Sequence, residues 1–159
     1  MKLLHTKLSN RTQEGLRLVG IDPMLPRRKL VTALALTKSG RRRVLLGKNS
    51  KTDLSDRFVP IKDGEPMIGY SSKMMYLSPH LEGLVMSCPW ASPGCSGGCL
   101  ISSGQMITSG CAHSRICKRL FFEVDPERFK AFMEIEIMEH ETRADMEGRI
   151  AVVRPNGTS

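Results

Sequence analysis

Aromatic side chains are scarce in this chain of 159 residues: Phe, Tyr and Trp make up 5% of it, against ten Met. The core is therefore expected to be aliphatic and adaptable, not built on ring packing. Long apolar runs are missing too. The longest, Val31 to Leu36 broken only by Thr32, is far shorter than the roughly 20 residues a membrane-spanning helix needs. Met1–His5 carries a charge but lacks the apolar segment of an export signal. These absences predict a cytoplasmic protein with no membrane contact. Five cysteines, an odd number, argue in that compartment against a disulfide framework. No Ser/His/Asp, Walker or Rossmann arrangement is present, and Gly94, Gly97 and Gly98 sit between cysteines, not in a phosphate-loop pattern.

What is present begins with charge. The net +8 is unevenly distributed: residues 1–62 hold 15 Lys+Arg against 4 Asp+Glu (+11), and residues 63–159 hold 9 against 12 (−3). A front segment of this kind can neutralise phosphates and give salt-sensitive nucleic-acid affinity, or it can simply solubilise the chain. Arg27, Arg28, Lys29, Arg41, Arg42 and Arg43 are the candidate phosphate contacts.

The pattern divides the chain into a basic arm, 1–46, and an α/β domain, 47–159. In the arm, Leu30 to Thr37 and Arg43 to Leu46 around Lys38-Ser39-Gly40 predict a β-hairpin. Residues 47–79 are polar and loop-rich. Leu84-Val85-Met86 reads as a buried strand that delivers Cys88 into a loop running to Gly98, and a helix is expected over 103–122. Asp125-Pro126-Glu127 then opens the clearest helix, with Phe129, Phe132, Met133, Glu136, Ile137 and His140 at helical spacing and Gly148 as its stop. His140 is expected to be a satisfied, partly buried side chain; the paired acids Glu134/Glu136 and Glu139/Glu141 are expected on the solvated side. Ile150–Val153 reads as a fully buried strand. This order predicts a partial βα unit, barrel-like or an open parallel sheet, whose second face a partner or a second copy would cover.

The segment Cys88-Pro89-Trp90-Ala91-Ser92-Pro93-Gly94-Cys95-Ser96-Gly97-Gly98-Cys99 carries the chemistry. Its C-x6-C-x3-C spacing lies among small residues that let backbone N–H groups approach thiolates, and Gly97-Gly98 permits a tight turn. Three thiolates call for either a zinc ion with a fourth ligand or a [4Fe–4S] cluster with one open iron. Candidates for the fourth position are Cys111, His113 and Cys117; His113 and Cys117, four apart, share a helical face. The alternative is that the cysteines are small inert core residues.

The block Gly47-Lys48-Asn49-Ser50-Lys51-Thr52, the cysteine segment, Arg119-Leu120-Phe121-Phe122 and the closing Arg154-x-Asn156-Gly157-Thr158-Ser159 occur in that order. Together, over about residues 47–159, they resemble an uncharacterised family of tailed-phage and prophage proteins akin to the phage gene product 88 group. The resemblance implies a phage origin, hence a bacterial host cell, and a chain that corresponds to the N-terminal part of a longer protein. The cysteine loop is also similar in flavour to that of radical-SAM-like proteins, but it departs from their C-x3-C-x2-C spacing: three residues after Cys99 stands Ser102.

Three functions compete on these residues. One is an enzyme, or part of one, using an iron–sulfur cluster on nucleotides or nucleic acid. The second is a non-enzymatic zinc module that binds nucleic acid through the basic arm. The third is a small phage protein that binds and inhibits a host factor.

Overall fold

The computed structural model describes residues 8–48, 61–78, 92–99 and 108–155. Across them the chain is a mixed α/β protein, with five helices and a three-stranded mixed sheet among the described residues. No described helix is long and apolar enough to cross a membrane. The chain forms two compact units, Met1–Arg43 with Leu77–Pro126, and Val44–Tyr76 with Glu127–Ser159.

The first unit is helical. Helix α1 (Asn10–Leu18) starts at Ser9, whose hydroxyl accepts from the Thr12 N–H at 3.1 Å. Helix α2 (Arg27–Ala35) follows Pro26, α3 (Pro93–Gly97) is a single turn, and α4 (Ser109–Val124) is the scaffold on which α1 and α2 pack. Cys117, Leu120, Phe121 and Val124 recur along one face of α4, where they are buried with Leu16, Leu30, Val31 and Leu34. Each such side chain contributes about 1.5–3 kcal/mol by leaving water. Thr12 Oγ1 also donates to Glu123 Oε2 at 3.0 Å, and Arg119 holds the other carboxylate oxygen at 2.9 Å, which ties α1 to α4.

Residues 30–46 do not form the expected hairpin. Leu30, Val31, Leu34 and Ala35 are buried at helical spacing on α2, so the apolar run is a helix face. A short apolar run fits either period, and Ala33 and Ala35 favour the helix. Only the bridge between Leu36 and Arg42, around the Thr37–Arg41 turn, remains of the hairpin.

The second unit holds the sheet. Strands β1 (Leu46–Gly47), β4 (Tyr70–Met75) and β5 (Ile150–Arg154) lie in the order β1-β4-β5; β4 is antiparallel to β1 and parallel to β5, with Tyr70 opposite Ile150 and Met74 opposite Arg154. Strands β2 (Ile61–Lys62) and β3 (Glu65–Pro66) form a hairpin across Asp63-Gly64, both at positive φ as a two-residue turn of this hand requires. Helix α5 (Pro126–Met146) opens on Pro126. It ends where Gly148, at φ 64°, lets its own N–H reach the Asp145 carbonyl and Arg149 N–H reach that of Ala144.

The expected parallel pairing is therefore present, but its first strand is Tyr70–Met75, in a stretch that reads as loop. The Leu84–Met86 run lies outside the described residues. Strand β5 is not fully buried: Ile150 and Val152 are 47% and 39% exposed and alternate with half-buried Ala151 and Val153. That alternation marks a strand with one covered and one open face.

Candidate functional site

The cysteine loop contains a helical turn. Ser92 caps α3 by accepting from the Cys95 N–H at 3.2 Å, Pro93 occupies the first turn, and Gly98 N–H closes on the Gly94 carbonyl at 3.0 Å. Cys95 and Cys99 therefore stand four residues apart around one turn, Cys95 exposed and Cys99 half-buried, neither in a disulfide. Cys88, and the start of the helix expected over 103–122, lie outside the described residues.

His113 and Cys117 do share a face of α4, with Sγ 3.5 Å from Nε2. Burial pushes the Cys117 thiol up, against the pull of the Arg43 and Lys38 cations. Desolvation pushes the His113 imidazole down, and the same two cations add to it. A protonated thiol beside a neutral imidazole is a hydrogen-bonded pair, not an activated nucleophile. Cys111 is half-buried near the start of the same helix. Among the described residues, no group of three or more His, Cys, Asp or Glu side chains is arranged to hold a metal ion, so neither His113 nor Cys117 is brought to Cys95 and Cys99 in such a group.

Of the basic candidates, Arg27, Arg28 and Lys29 are exposed in the first turn of α2, and Arg41 and Arg42 are exposed beyond its other end. The first turn contains no acid, although the positive end of a helix disfavours cations there. Arg43 turns inward instead. It is 7% exposed, and its Nε and Nη2 donate to the carbonyls of Leu34 and Leu36 at 2.7 and 2.9 Å. Its charge serves the end of α2 and is not offered to a phosphate.

The second unit holds a polar set that the pattern does not single out. Glu136 belongs to the buried side of α5, not the solvated side. It is 2% exposed; Leu45 N–H donates to its two oxygens at 2.9 and 3.1 Å, and Leu46 N–H to Oε2 at 2.8 Å. His140, 1% exposed, donates from Nε2 to the Ser71 carbonyl at 2.8 Å, which makes it the satisfied histidine expected. Lys73 on β4 has its ammonium pushed down by desolvation and by Arg143, while Glu136 and Glu139 pull the other way. The one available signal was the position of Glu136 within the apolar repeat of Phe129, Met133, Ile137 and His140.

No curated protein and no solved structure matches the chain. The model of the Gene product 88 family matches residues 43–159, nearly the stretch on which the resemblance rests. By that match the chain belongs to the Gene product 88 family of phage proteins.

Proposed function

We propose that this phage protein holds an iron–sulfur cluster or a zinc ion on the thiolates of Cys88, Cys95 and Cys99, in the cytoplasm of its bacterial host, and acts on nucleotides or nucleic acid. One observation carries the reading. Cys95 and Cys99 sit outside the hydrophobic core on a Ser-capped turn, accessible and one turn apart, whereas Cys117 is sealed in the core as a thiol. An exposed and a half-buried thiol on a Gly-rich turn suit metal ligation, which needs deprotonated sulfur and room for the ion. Bound there, a cluster would supply electron transfer or an open iron, and zinc would supply rigidity. Elemental analysis of the full chain purified without oxygen tests this. Iron with sulfide, or about one equivalent of zinc, is expected, and it should be lost in Cys95→Ser and Cys99→Ser. Protein that is metal-free and stays so after reconstitution would overturn it.

A second reading, a zinc-containing nucleic-acid-binding module, is favoured by the uncompensated cations at the start of α2. Helix stability alone disfavours Arg27, Arg28 and Lys29 in that turn, whereas a phosphate backbone would stabilise them. Binding to single- or double-stranded DNA or RNA should weaken steeply with salt, and the slope should flatten when the three are replaced by Gln. Salt-independent binding would remove this reading.

A further inference from the structure

Helix α5 buries one face and exposes an apolar stripe on the opposite one. One carries Phe129, Glu136, His140 and Ala144 and is buried. The other carries Ile135, Met138 and Met146, which are 44%, 65% and 84% exposed. Thr142, between them, donates its hydroxyl back to the Met138 carbonyl at 2.9 Å, so no unsatisfied polar group interrupts the stripe. A surface helix ordinarily sets charged residues opposite its buried face. Here the charge is displaced to the flanks: Glu139 and Arg143, of opposite sign, line one edge of the stripe, and the other edge is acidic. Glu134, Glu141 and Asp145 are exposed, follow one another along that acidic edge, and make no ion pair among the described residues. Glu141 and Asp145, four apart, repel each other with no cation between them.

We infer that this face of α5 docks a basic amphipathic helix of a partner protein. The Met-containing stripe provides an adaptable apolar floor. An amphipathic helix lays its apolar face on such a surface, and the carboxylate edge supplies the complementary charge. A second copy of the same helix laid against this one would bring its own carboxylate edge with it, so the charge pattern favours a cationic partner over self-pairing.

The probe is a short synthetic peptide of Leu and Lys with Leu at helical spacing, labelled for fluorescence anisotropy, with the same peptide carrying Glu for Lys as control. The full chain should bind the Lys peptide and not the Glu peptide. Met138→Glu should weaken binding about tenfold or more, the loss typical of a central apolar anchor, even though it adds a charge that attracts the peptide. Ile135→Ser should do the same without changing charge, and Glu141→Lys with Asp145→Lys should weaken binding and flatten its salt dependence. Because Met138 is 65% exposed, these variants should keep the wild-type circular dichroism and thermal midpoint. Equal binding of both peptides, or unchanged binding by folded Met138→Glu, would overturn the proposal. A wild-type dimer in sedimentation that Met138→Glu converts to monomer would overturn it in favour of a second copy.

Discussion

In the first unit the buried charges among the described residues are cationic: Arg43, Arg115 and Lys118. In the second unit the buried carboxylate Glu136 lies beside the buried His140 on the same helix face. Arg43 and Glu136 act on the backbone, and their signs follow from which backbone groups are left over. Helix α2 ends with carbonyls that have no partner in the helix, and the Arg43 guanidinium, a donor only, takes two of them. The chain entering β1 presents two N–H groups, and the Glu136 carboxylate, an acceptor only, takes both. A buried charge here completes the hydrogen bonding of a neighbouring element, so its sign can be read from the polarity of the backbone end it meets.

The two ends should not be equally sensitive. A buried N–H without a partner is rarer and costlier than a carbonyl, which keeps a second lone pair. Glu136→Ala strands the Leu45 and Leu46 amides and should destabilise the chain by about 3 kcal/mol in urea unfolding. Glu136→Gln keeps one acceptor but turns an NH2 toward the other donor, and should fall short of that loss.

Arg43→Met should cost about 2 kcal/mol by the same measurement, because Leu34 and Leu36 lose a donor. The backbone N–H of residue 43 still reaches the Ala35 carbonyl at 2.7 Å. Should Arg43→Met prove as costly as Glu136→Ala, the distinction between stranded donors and stranded acceptors would fail here.

The same contrast explains what could be read in advance. Helix α5 was legible because Pro126, the apolar repeat and Gly148 agree on one element, and β5 because Ile150-Ala151-Val152-Val153 is short and rich in β-branched residues. Strand β4 was not, because Tyr-Ser-Ser-Lys-Met-Met has polar residues where a covered strand usually has valine or isoleucine. Ser71 is buried and Lys73 half-buried there, and the Ser71 carbonyl meets His140, partners that lie far along the chain. The residues of α2 were visible but their period was not, since a run of Leu, Val and Ala suits both strand and helix until α4 supplies a face to pack on. In the cysteine segment the spacing is legible, and so is the helix start inside it, since Ser92-Pro93 is an ordinary capping signal. The burial of Glu136 is not legible in the sequence, because a carboxylate reads as solvated until the amides it serves are known.

The smallest expected effects concern protons, and at alkaline pH the two units should move in opposite directions. Burial holds the Cys117 thiol above its ordinary 9.0. The folded state therefore keeps that proton after the unfolded chain has released it, and stability falls as pH rises past 9.0. Lys73 in the second unit is held below 10.5, by desolvation first and Arg143 next. Folding it as a cation is disfavoured, so stability rises as pH approaches 10.5 and the cation is lost. His113 has the sign of Lys73 at the acid end: held below 6.5, it makes the folded state less stable as pH falls through that value. Urea unfolding from neutral pH to 10.5 should separate the first two groups. Cys117→Ala should carry a constant cavity cost of about 1 kcal/mol and lose the alkaline decline. Lys73→Met should make that decline steeper, because the opposing rise is gone. Parallel profiles for wild type and Cys117→Ala would mean that the core does not hold the thiol proton. The contrast between a sealed Cys117 and an accessible Cys95 and Cys99, on which the proposed metal centre depends, would then be lost.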